Sequence, residues 1–79
     1  MEIKVLYFGE IAEWKGCAEE LKQLNSSITT DEFVGSLVKE IPQLTQINYA
    51  IAVNQNMIDA PVELLNGYEV SVFPPFAGG

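Results

Sequence analysis

Histidine and arginine are absent from this 79-residue chain, and cysteine occurs once, as Cys17. Each absence removes a class of chemistry. With no histidine there is no imidazole to act as a base near neutral pH, no Cys/His couple and no cluster with metal-ligand spacing. A single cysteine rules out a disulfide framework within the chain and fits a reduced, cytoplasmic setting. Cys17 has no histidine or arginine to activate it, so an inert thiol is the plainer reading than a redox or persulfide relay. No apolar run approaches the roughly 20 residues that span a bilayer. The N-terminus sets acidic Glu2 beside Lys4 before a short strand-like run, so no signal peptide is expected. Internal repeats, linkers and low-complexity segments are also missing.

Positive charge is scarce. Lys4, Lys15, Lys22 and Lys39 face eleven acids, for a formal net charge of −7. Such a surface makes nucleic acid and anionic membrane poor partners. It suits a protein with a basic docking face, although much of the acidic excess serves as ordinary solvated surface. What is present is apolar: 48% of the residues are hydrophobic, enough for one domain with a modest core. A domain of this size has little room for a catalytic pocket of its own.

The apolar residues are patterned. Residues 2 to 8 alternate as a strand, with Ile3, Val5 and Tyr7 on one face and Lys4, Leu6 and Phe8 on the other. Gly9 breaks it, and residues 10 to 15 make a short helix that brings Ile11 and Trp14 together, Trp14 in the core, before Gly16 caps the end. Residues 18 to 24 read as an edge strand. Thr29 and Glu32 have capping-box spacing, after which Phe33, Val34, Leu37, Val38 and Ile41 fall on one helical stripe that Pro42 stops. Gly35 inside that helix implies either close approach to the sheet or an exposed position. Residues 47 to 53 read as a central strand, Asn54-Gln55-Asn56 as a turn and Met57-Ile58 as a brief return strand. Leu64 and Leu65 fall in a connection, and residues 68 to 73 alternate as the last strand. The expected fold is α+β, a mixed sheet of about five strands packed on one main helix.

The last six residues, Pro74-Pro75-Phe76-Ala77-Gly78-Gly79, are unlike a frayed end. Two prolines cannot continue a central strand, so the chain leaves the sheet and projects on the order of 15–20 Å. Gly78 adds no side chain and Gly79 presents a carboxylate, which together suit passage through a narrow channel. A carboxylate is a poor electrophile until another enzyme activates it, most simply by adenylation. The division is therefore a domain over residues 1–73 and a flexible arm over 74–79. Phe8, Phe73 and Phe76 are candidates for an apolar docking patch beside the arm, with plain core burial the alternative for the two strand residues.

These residues resemble a known family, the small sulfur-carrying subunit of molybdopterin synthase, a ubiquitin-like β-grasp protein. The resemblance runs nearly end to end, through Ile3-Lys4-Val5-Leu6-Tyr7-Phe8, Leu24 to Thr29 and Ala52-Val53-Asn54. Its most specific part is the stretch from Leu65 to Gly79, similar to an Asp-Gly-Asp-Glu-Val strand followed by Pro-Pro-x-x-Gly-Gly. Asn66 and Tyr68 replace the usual acids there, and Phe76 is bulkier than the usual residue. The resemblance implies a β-grasp fold, with Gly79 adenylated by an ATP-consuming activating enzyme and converted to a thiocarboxylate by a sulfur donor protein. The large catalytic subunit would then receive the arm, and sulfur would pass to cyclic pyranopterin monophosphate. On this account Gly78 gives clearance, and Pro74, Pro75, Phe76 and Ala77 hold the arm extended. The chain itself binds no cofactor or metal. Three other readings remain: a β-grasp carrier for thiazole, cysteine or tRNA thiolation, a ubiquitin-like modifier forming isopeptide bonds, and an interaction module with an inert tail.

Overall fold

The computed structural model describes residues 1–75. Its elements are β1 (Glu2–Tyr7), α1 (Gly9–Lys15), β2 (Glu19–Gln23), β3 (Ile28–Thr29), α2 (Thr30–Glu40), a 3₁₀ helix (Pro42–Gln46), β4 (Ala50–Val53), β5 (Asn56–Met57), β6 (Glu63–Leu64) and β7 (Glu69–Phe73). Five strands form one mixed sheet in the order β2-β1-β7-β4-β5, and β3 and β6 form a separate two-stranded sheet. Among the described strands of this sheet only the pairing of β1 with β7 is parallel, from Lys4↔Glu69 to Tyr7↔Val72. The C-terminal strand thus occupies the middle of the sheet.

One face of the sheet is buried against α2. Ile3, Val5, Tyr7, Ile51, Val53, Val70 and Val72 pack with Ile11, Phe33, Leu37, Ile41, Leu44 and Leu64 in a single core. Burial of this alternating set fixes the register of β1 and β7, since a one-residue slip would turn every one of those side chains to the other face. The start of α2 is set locally by a complete capping box. Thr29 Oγ1 accepts from the Glu32 amide at 3.2 Å, and the Glu32 carboxylate accepts from the Thr29 amide at 3.0 Å.

Several sequence expectations need correction. The strand read over residues 47 to 53 is confined to Ala50–Val53. Pro42 stops α2 and then opens the 3₁₀ helix, which carries Leu44 into the core and returns the chain to the sheet only at Ala50. The ladder between β4 and β7 ends at Ala50↔Phe73, because Pro74 has no amide hydrogen for a further rung. Leu64 is in β6 and not in a connection, and it is fully buried. Trp14 lies half-buried against the core's edge. Gly35 is exposed with nothing within 4 Å of where a Cβ would sit, so it makes no close approach. No helix among the described residues is long and apolar enough to cross a membrane.

Candidate functional site

The parallel pairing of β1 and β7 brings both strands to an end at the same corner of the sheet. Phe8 donates its amide to the Val72 carbonyl at 3.2 Å, and one residue further along, the Phe8 and Phe73 rings stack with centroids 4.5 Å apart and an 11° interplanar angle. Neither ring belongs to the core. Strand alternation sends both to the face opposite α2, where Phe8 keeps 39% of its surface exposed and Phe73 is half-buried. Leu6, Ser71, Ala52 and Met57 form the next row across that face, paired strand to strand, with Met57 exposed. The corner therefore presents aromatic and aliphatic surface beside the point where the chain leaves the sheet.

Pro74 and Pro75 follow immediately. Pro74 is half-buried and Pro75 exposed. The Pro74 ring lies over Gly9, whose φ is +56°, so closely that a Cβ on Gly9 would fall 2.9 Å from Pro74 Cγ. Phe76, Ala77, Gly78 and Gly79 lie outside the described residues. Of the residues singled out in sequence, the structure brings Phe8, Phe73 and Pro74 to one corner. Gly9 was read only as a strand breaker, and its positive φ and its contact with the far end of the chain leave no local signature.

A second cluster sits on the core side. The Tyr7 hydroxyl donates to Glu20 Oε1 at 2.6 Å, Lys15 Nζ lies 2.7 Å from Glu40 Oε1 and 3.4 Å from Glu20, and Lys22 bridges the same two carboxylates. Burial, reinforced by the Glu20 carboxylate, pushes the Tyr7 hydroxyl far above its ordinary range. Hydrogen bonds from Lys15 and Lys22 hold Glu40 below the usual carboxylate range. Burial acts to raise Glu20, but the Tyr7 hydroxyl with Lys22 and Lys15 outweighs it, and the net shift is downward. Every charge here is matched, so the cluster ties α1, β2 and α2 together and offers no poised acid or base.

The structure provides little else for catalysis. An open cleft of about 480 Å³ between α2 and residues 58–61 contains Asp31, Asp59 and Tyr49. Its lining has no lysine, histidine or cysteine to pair with the two carboxylates. Among the described residues no group of histidine, cysteine and carboxylate side chains could hold a metal ion. Cys17 is half-buried and packs against the core's edge. What the arrangement does offer is a sheet corner with an apolar surface, from which the chain departs at Pro74 and Pro75.

Comparison with known proteins agrees with that geometry. The ThiS family profile matches residues 5–79. A molybdopterin synthase sulfur carrier subunit from Chlamydomonas reinhardtii is 30% identical over 83 residues, covering 100% of each chain. Among solved structures, a chain of the complex of subunits 1 and 2 of the Helicobacter pylori molybdopterin-converting factor superposes with a TM-score of 0.72 at 27% identity and full coverage of both chains. A Pyrococcus furiosus protein described as subunit 1 of molybdopterin converting factor gives a TM-score of 0.83 at 24% identity, covering 96% of this chain and 99% of that one. SAMP1 of Haloferax volcanii gives 0.80 at 18% identity with full coverage of both chains. The last two likenesses establish the ubiquitin-like β-grasp fold.

Proposed function

The chain belongs to the ThiS family, and from that premise we propose that it is the sulfur-carrier subunit of a molybdopterin synthase. The observation that carries this reading is the end-to-end likeness to the Chlamydomonas sulfur carrier subunit, in a chain whose Pro-Pro-x-x-Gly-Gly segment continues straight from its central strand. In this reading an adenylating enzyme uses ATP to convert the Gly79 carboxylate to an acyl-adenylate, releasing pyrophosphate. Sulfur supplied at the sulfide level by a donor protein then attacks the acyl carbon, the bond to the AMP phosphate oxygen breaks, AMP leaves, and a thiocarboxylate results. The arm delivers that group to the large subunit, where its sulfur passes to cyclic pyranopterin monophosphate, two carriers serving for each dithiolene formed. The Helicobacter complex supports a large subunit as partner, and the apolar corner around Phe8 and Phe73 is the surface we assign to it. Cytoplasmic location follows from the same reading.

The domain's own part is mechanical. Gly79 supplies the reacting carbonyl, Gly78 gives clearance, and residues 74–77 carry the terminus away from the sheet. ATP is consumed by the activating enzyme, and no group is bound by this chain. The SAMP1 likeness raises the modifier reading, in which Gly79 ends in isopeptide bonds to lysines, but at 18% identity it speaks for the fold alone. Intact mass distinguishes the two. After incubation with ATP, the activating enzyme and a sulfur donor, the carrier reading expects one oxygen replaced by sulfur at Gly79, and none in a chain lacking Gly79 that is still folded. No mass change, where a related carrier is converted, sinks the reading.

A further inference from the structure

We propose that Gly9 is a positioning residue for the C-terminal arm, giving Pro74 a seat at the end of β1 and so fixing the direction in which the chain leaves the sheet. This rests on the reading of the arm as the reacting segment. Backbone hydrogen bonding cannot set that direction, because the last rung toward β1 is Phe8 to Val72 and Pro74 has no amide hydrogen to make another. The seat takes over where the ladder stops. Phe8 stacks on Phe73, and the residues that follow them, Gly9 at the start of α1 and Pro74 just beyond β7, are again in contact.

Two independent requirements meet at Gly9. Its φ of +56° is a conformation that L side chains rarely adopt. Its Cβ position is also occupied, lying 2.9 Å from Pro74 Cγ, 3.7 Å from Cδ and 3.9 Å from Cβ, so the proline ring covers it from end to end. Gly16 and Gly67 meet only the first requirement, with φ of +90° and +87° and nothing within 4 Å. Any side chain at position 9 would have to push Pro74 outward by about half an ångström to regain ordinary contact. Pro74 and Pro75 both have φ fixed by their rings, so a displaced Pro74 changes the heading with which the chain leaves the sheet. Misdirection of this size impairs entry into a partner's site more than chemistry once seated, which is a loss in KM and not in kcat.

The test uses full-length Gly9→Ala, Gly9→Asn, Pro74→Ala and Gly9→Ala/Pro74→Ala chains with the activating enzyme, ATP and sulfur donor. Thiocarboxylate formation is followed by intact mass, and NMR shifts of the Phe73 and Pro74 protons are recorded on each variant. Gly9→Ala and Gly9→Asn should each raise KM on the order of tenfold with kcat held, and move those proton shifts. The Gly9→Ala penalty should largely vanish in the Pro74→Ala background, since alanine removes the ring that the new Cβ meets. Asparagine tolerates positive φ, so a wild-type KM for Gly9→Asn would show that only backbone conformation matters and would overturn the proposal. An undiminished Gly9→Ala penalty beside Pro74→Ala would overturn it too. Should Gly9→Ala fail to fold, Gly9→Asn carries the same Cβ and decides alone. If the wild-type chain is not converted, the reading of the arm itself falls; if it is converted and Gly9→Asn matches it, only the Gly9 assignment falls.

Discussion

Replacing Phe8 with alanine separates the two things that ring does. A phenylalanine buries about 200 Å² when fully covered, so an exposure of 39% leaves about 80 Å² for a partner to cover. At about 25 cal/mol per Å² that area contributes about 2 kcal/mol to docking, or a loss of about 25-fold in affinity on truncation. The part already covered belongs to the fold. Scaled from the 3–5 kcal/mol of a fully buried Phe→Ala change, its removal costs about 2–3 kcal/mol of stability, which a domain of this size survives. Because the Phe8 and Phe73 rings stack at 4.5 Å, the double variant Phe8→Ala/Phe73→Ala should show a coupling of about 1 kcal/mol in stability. Titration calorimetry against the large subunit, with urea melts of each variant, measures both quantities. Affinity within about threefold of wild type, for a Phe8→Ala chain still folded at the assay temperature, would remove this corner from the interface.

Acid should unfold the domain in step with its carboxylate network. Glu40 and Glu20 titrate below their ordinary value of 4.5 in the fold, so their stabilisation is whole above that pH and is lost as pH falls through the depressed folded values. Thermal melts should be flat from neutrality to about pH 5 and decline below about pH 4.5, and a Lys15→Met/Lys22→Met chain should decline less steeply; an unchanged acid limb would show that the pairs are stability-neutral. Docking should also respond to salt. Lys4, Lys15 and Lys22 are already engaged by Glu19, Glu20 and Glu40, which leaves the −7 excess on other acids. Association with the large subunit should slow as ionic strength shortens the Debye length from about 10 Å at 0.1 M to about 3 Å at 1 M; a stopped-flow on-rate indifferent to salt would remove the steering role.

Features encoded within a few residues were the ones legible in sequence. Thr29 and Glu32 lie three apart and make their capping box as read, and the alternation of Ile3, Val5 and Tyr7 does bury one face of β1. The β-grasp architecture followed from the order of such patterns together with the resemblance. Elements made by pairing distant residues were not legible. Strands β3 and β6 contribute two residues each, too few for any period to show, and only tertiary contact makes Glu63–Leu64 a strand. Ile47 and Tyr49 alternate like a strand because both pack against the core's edge, yet they belong to the chain returning from the 3₁₀ helix. At the candidate site the same division holds. Alternation set Phe8 opposite the face of Ile3, Val5 and Tyr7 but left core burial open for both rings, whereas the seat of Pro74 on Gly9 joins residues far apart in the chain and left no signal.

The position of β7 bears on how, under the proposed function, a chain without a poised acid or base among its described residues would present its terminus to other enzymes. A terminal strand at a sheet edge would be held from one side, and force on its end would peel it away. Here β1 and β4 flank it, with Val70 and Val72 fully buried and Ser71 nearly so, so the segment leading to Pro74 is held from both sides. Pairing persists to Val72 on the β1 side and to Phe73 on the β4 side, and Pro74 has no amide hydrogen to extend either. Paired sheet thus gives way within one residue to chain that makes no further rung, and under the proposed function a partner would meet an arm whose first residue is already placed. Preorganisation of that kind lowers the ordering cost of docking without requiring a larger interface. It follows that core substitutions should act on function only through the folded fraction, whereas changes at Phe8, Gly9, Phe73 and Pro74 should also lower function per molecule that remains folded.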